Sequence, residues 1–111
     1  MRLFLYGTLL RPATLAEWSG DPTLPRRCAP ATLQGWRRVA TPAVRWPTLR
    51  RDRRGVVTGV VVDVPATAAS RLAAYEGHMY RLVPVVVTTG KGKTAAHTWI
   101  APGGTLRPWK G

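Results

Sequence analysis

At 111 residues the chain can bury one real core but not two independent ones, and 1–111 is read as a single domain. Its 17 basic residues against five acidic ones give a formal charge of +12, a field that repels cations and leaves nucleic acid and acidic metabolites as partner classes. The single cysteine, Cys28, excludes an intramolecular disulfide and fits a reducing compartment; with it, the isolated His78 and His97 form no short-spaced ligand cluster, so no metal and no cofactor is expected.

The first element is Leu3 to Tyr6, an apolar run that suits a strand buried on both faces, and it passes directly into Gly7. Glycine reaches backbone angles closed to other residues, so the chain is expected to turn there. The successive N–H groups of Thr8, Leu9 and Leu10 can converge into an anion-holding concavity, whereas Pro12 has no N–H and ends the run. Taken alone, Tyr-Gly-Thr is more often an ordinary strand ending, and it needs a partner elsewhere to mean more. The apolar run is broken by Gly7 and closed by Arg11, too short for a membrane span and without a signal-cleavage pattern, so a soluble, cytoplasmic protein is expected.

Pro12 to Trp18 reads as a short helix, with Leu15 and Trp18 on one face. After a loop at Gly20-Asp21-Pro22 and Pro25, Cys28 to Val39 reads as one strand or two short ones around Gly35. Trp46 to Leu49 reads as a short edge strand. Arg50 to Arg54 is too charged for a core and is placed at an exposed hairpin end, before the clearest strand in the chain, Val56 to Val64. Gly59 inside that strand marks a bulge or a close backbone approach.

Pro65 to Tyr75 is the main helix: Pro near its start, an alanine-rich body, and Ala68, Leu72 and Tyr75 on one face. Gly77 stands where a C-terminal cap belongs. Tyr80 to Thr89 is a β-branched strand, Gly90 to Lys93 a turn, Thr94 to Ala101 the hairpin partner, and the tail from Pro102 is irregular. Many strands with one main helix give an α+β domain whose sheet can curl into a barrel.

Only five carboxylates are available for acid–base chemistry: Glu17, Asp21, Asp52, Asp63 and Glu76. The first lies on the short helix, the second in a turn, the third amid arginines and the fourth at a strand end. Glu76 occupies the last turn of a helix, where the macrodipole disfavours an anion by ~0.3–1 kcal/mol. That dipole and burial beside Tyr75 would both raise its pKa toward the range useful for moving protons. On position alone, a surface glutamate paired with Arg81 is a comparable reading.

Leu5-Tyr6-Gly7-Thr8-Leu9, Gly35, Trp46-Pro47, Val57-Thr58-Gly59 and Tyr75-Glu76-Gly77 before Tyr80-Arg81 occur in an order that resembles the gamma-glutamylcyclotransferase-like family. The resemblance covers Leu3 to about Ala101 and implies a small mixed β-barrel-like sheet with one main helix. It further implies a small-molecule gamma-glutamyl substrate converted to 5-oxoproline and a free amine. Glu76 would be the general acid/base, and Tyr6, Gly7, Thr8 and Leu9 would bind substrate through their backbone. Tyr80 is a candidate hydroxyl at the rim, or else a strand aromatic packed inward. Ala73 and Ala74 stand where such proteins usually carry an Asp, and Val60 where they often carry a Glu, which makes the site less acidic than usual.

The alternative is a non-catalytic module of the same fold that uses Arg50 to Arg54, with Arg37, Arg38, Arg45, Trp36 and Trp46 nearby, for nucleic acid or an acidic partner. Arginine outnumbers lysine 14 to 3 beside abundant Ala, Pro and Gly, a pattern of GC-rich coding rather than of phosphate contacts. A solvated basic surface without specific nucleic-acid binding is therefore expected.

Overall fold

A computed structural model describes residues 1–103. Five strands, β1 (Arg2–Leu5), β2 (Ala29–Val39), β3 (Thr48–Asp63), β4 (Arg81–Thr89) and β5 (Gly92–Ile100), close into a barrel in the order β1-β3-β2-β4-β5. The α+β class and barrel-like sheet are as the sequence indicates. Two helices, α1 (Pro12–Ser19) and α2 (Ala66–Glu76), pack on the outside. No helix among the described residues is long and apolar enough to cross a membrane. The irregular tail expected from Pro102 falls mostly on residues 104–111, outside those described.

Strand β1 sits antiparallel to β3 and touches β5 in parallel at Leu3 and His97. Because side chains alternate along a strand, its residues divide between two cores. Leu3 and Leu5 join Leu15, Leu24, Leu72 and Trp99 beneath the helices, while Phe4 and Tyr6 join Leu33, Val57, Val61 and Val87 inside the barrel. Leu3 through Tyr6 are all buried, so the run is apolar on both faces as a two-sided strand must be.

The pairing of β2 with β3 sets two corrections. Arg50 to Arg54 is not a hairpin end. Arg50 and Arg51 pair with Arg37 and Trp36 inside β3, and Asp52 to Gly55 bulges opposite the break between Gln34 and Trp36. The turn lies instead in residues 40–47, and Trp46 to Leu49 is not a separate edge strand, because Thr48 and Leu49 open β3. Charge excludes residues from a core but not from a strand with one wet face. Here Arg51 lies over the Trp36 ring at 4.6 Å and the arginines project to solvent.

Gly59 marks a close approach rather than a bulge. Pairing with Ala31 is regular, but a Cβ on Gly59 would lie 2.2 Å from the Leu5 carbonyl oxygen and 3.0 Å from the Phe4 ring. The two strands that carry the barrel's end therefore press together directly behind the Tyr6-Gly7 turn.

Candidate active site

At the end of β1 the chain enters a 3-10 turn, Thr8–Leu10. Its hydrogen bonds run from Leu10 N–H to the Gly7 carbonyl (3.0 Å) and from Arg11 N–H to the Thr8 carbonyl (3.2 Å). The N–H groups of Thr8 and Leu9 belong to its first turn, where no preceding helical carbonyl is in reach. The Leu9 side chain is buried beneath the helices, which fixes the turn from below. From the other side Arg38 donates Nε–H to the Tyr6 carbonyl (3.0 Å) and a terminal N–H to the Thr58 carbonyl (2.7 Å). The loop is thus held at both ends.

Gly7 has φ −118° and ψ −138°, outside both the helical and the extended regions, as a glycine turn allows. A Cβ there would meet no atom within 4 Å. What the glycine does is keep the mouth of a pocket clear, since it lines the pocket wall without filling it.

That pocket has a volume of about 130 Å³. Tyr6, Gly7, Thr8, Leu9, Glu76 and Tyr80 all line it, so these six candidate residues surround one pocket. Helix α2 delivers Glu76 from its last turn. The chain leaves the helix at Gly77, whose φ of +88° favours glycine and whose N–H reaches the Ala73 carbonyl at 3.1 Å. Stopping the helix there leaves the carboxylate at the pocket wall. The pairing with Arg81 does not occur: among the described residues the ion pairs are Arg2 with Asp63, Arg27 with Asp21 and Arg37 with Asp52, none of which involves Glu76.

Burial without a cationic partner pushes the Glu76 carboxyl up to about 7. Burial, and then the neighbouring Glu76 carboxylate, pushes Tyr80 up to about 12. Tyr6 is raised well above the usual tyrosine range, first by burial and then by Tyr80 and Glu76. Both phenols therefore stay protonated when Glu76 ionises. Their hydroxyls are already committed, Tyr6 to the Trp99 carbonyl (2.5 Å) and Tyr80 to the Pro47 carbonyl (2.9 Å). Tyr80 precedes β4 and lines the pocket while packing against the helix-side core.

Sequence reasoning missed Tyr75 as a pocket residue, reading it only as part of the helix's core face. Its hydroxyl meets the Thr8 hydroxyl at 2.7 Å and its ring rests against Trp18 with centroids 5.1 Å apart. A hydroxyl on an otherwise apolar stripe was the available signal. Thr98 and Trp99, on β5, also line the pocket, and nothing local in their strand marks them. Among the described residues no three His, Cys, Asp or Glu side chains are grouped to hold a metal ion.

A family model described as gamma-glutamyl cyclotransferase, AIG2-like, matches residues 3–109. Two Arabidopsis thaliana proteins solved in solution share the fold. One is 25% identical with TM-score 0.76, over 91% of this chain and 68% of its own. The other is 26% identical with TM-score 0.77, over 90% of this chain and 61% of its own. A solved gamma-glutamyl cyclotransferase is 17% identical with TM-score 0.77, over 95% of this chain and 68% of its own, a likeness of fold alone. No curated protein matches the chain.

Proposed function

From the premise that the chain belongs to the gamma-glutamyl cyclotransferase, AIG2-like family, we propose that it converts a gamma-glutamyl amine or peptide to 5-oxoproline and a free amine, with Glu76 as the acid–base group. The observation that carries this reading is a half-buried carboxylate with no ion-pair partner among the described residues, on the same pocket wall as the Gly7 turn.

The reaction needs little else. The substrate's own α-amine is the nucleophile. It attacks the gamma-glutamyl carbonyl carbon, a C–N bond forms to close the five-membered lactam, and the bond to the departing amine breaks. Glu76 takes the proton released by the attacking nitrogen and returns it to the leaving nitrogen, a role typically worth ~10²–10⁴-fold. Gly7, Thr8 and Leu9 hold the substrate through backbone N–H groups, either at its α-carboxylate or at the oxygen that gains charge as the carbon becomes tetrahedral. Holding amine and carbonyl in a near-attack arrangement can contribute ~7–11 kcal/mol in well-oriented intramolecular cases. The aromatic walls of Tyr6, Tyr75, Tyr80 and Trp99 restrict water and keep the uncharged form of Glu76 accessible near neutral pH.

The test is a panel of gamma-glutamyl amines and peptides scored for 5-oxoproline by mass spectrometry, with and without chelator. Release from at least one member, unaffected by chelation, is expected. Silence across a broad panel contradicts the activity, and loss on chelation contradicts the mechanism.

A further inference from the structure

A second cavity, of about 260 Å³, adjoins the first and shares Tyr6, Gly7, Thr8, Trp46 and Pro47 with it. Its remaining walls are Leu10, Arg11 and Arg38. No acidic residue lines it. Arg11 is exposed and Arg38 half-buried, and neither forms an ion pair among the described residues. Arg38 uses two of its five N–H donors on the Tyr6 and Thr58 carbonyls, which anchors the guanidinium and leaves three donors in a fixed fork. Arg45 adds positive charge nearby, 5.5 Å over the ring of Trp46, which is 48% exposed.

We propose that this arginine-lined cavity receives the departing half of the substrate and selects for a carboxylate on it, against neutral or cationic amines. The inference rests on the cyclotransferase reading of the adjoining pocket, since the shared wall is the Gly7 turn on which the scissile amide would lie. Carboxylate pairs with a planar guanidinium through two parallel hydrogen bonds, and Arg38 is anchored in advance to make them. Arg11 supplies a second charge from the rim. A cationic leaving amine would meet two like charges with no carboxylate to offset them. The selectivity therefore resides in Arg38 and Arg11, outside the groups that move the proton.

The experiment uses matched substrates: gamma-glutamylalanine, gamma-glutamylethylamide, which lacks the carboxylate, and gamma-glutamylputrescine, which is cationic. kcat/KM from 5-oxoproline release is measured at low and at physiological salt for the native protein, Arg11→Glu and Arg38→Gln. In parallel, binding of the three compounds is measured by calorimetry on Glu76→Gln. The native protein is expected to favour the alanine compound by tenfold or more, mostly through KM, with the preference weakening as salt rises. Arg11→Glu should lower the preference several-fold, with Tm measured alongside to show that the fold is kept. Arg38→Gln should remove most of it. Equal kcat/KM on all three substrates overturns the proposal and leaves the cyclotransferase reading standing. Preferential binding of the alanine compound with no 5-oxoproline supports the cavity's role and sinks that reading. No turnover and no binding overturns both.

Discussion

Glu76 carries a conflict that its surroundings leave unresolved: a carboxylate at the negative end of a helix, half-buried, with no cation paired to it among the described residues. Its folded-state carboxyl stands at about 7 against an ordinary 4.5, so the native state holds this proton more tightly than the unfolded chain does. The resulting contribution to stability is complete below about 4.5 and is lost as pH rises through about 7. Thermal melts between pH 5 and 8 should therefore show a decline in Tm that Glu76→Gln abolishes; parallel profiles would mean the carboxyl is not perturbed. The same group predicts that kcat/KM rises with pH through an apparent value near 7, where a solvated glutamate would already have reached its plateau. Gly7 poses the opposite case, a position where an added Cβ would meet no other atom. Gly7→Ala should lose substrate affinity at least several-fold, because the new methyl occupies pocket space; unchanged KM would remove the turn from the binding site.

Between residue and fold lie the contacts that set one element against another. The Thr8–Tyr75 hydroxyl pair ties the β1 turn to the helix bearing Glu76. Tyr75→Phe and Thr8→Val should each lower kcat with little effect on Tm, and the double variant should cost no more than either alone, as for a single shared interaction. Additive losses would show that the two hydroxyls act separately. Gly59→Ala tests the press of β3 on β1. A methyl 2.2 Å from the Leu5 carbonyl oxygen should cost at least the ~1–3 kcal/mol of ordinary overpacking, read from urea unfolding. Strand β1, helix α2 and its Gly77 cap were legible because burial, periodicity and cap chemistry agree locally there. The arginine segment was misplaced because charge reports exposure and not secondary structure, and its strand character comes from pairing with Arg37 and Trp36 about 14 residues earlier. The pocket's Glu76 and Gly7 turn were legible as two short motifs. Thr98 and Trp99 were not, since barrel closure, a long-range event, is what carries β5 to the site.

Across the whole molecule the charge of +12 is dispersed, with exposed arginines along β3 and lysines at the β4–β5 turn in addition to the arginines of the second cavity. Trp36, the aromatic on β2 that faces the arginines of β3, is already covered by Arg51. Single-stranded nucleic acid should bind weakly at low salt and be released at physiological ionic strength, checked by fluorescence anisotropy across a salt series. Tight sequence-selective binding at physiological salt would favour a binding module over an enzyme. The barrel, the two helices and the Gly7 turn serve in this account to present one carboxylate beside one bound amide. The most direct measurement takes native protein and Glu76→Gln side by side for 5-oxoproline release, ligand affinity and Tm on the same gamma-glutamyl compound. Release is expected to fall by ~10²-fold or more while affinity holds and Tm is unchanged or raised. Turnover that survives in Glu76→Gln, or a variant that unfolds, would contradict it.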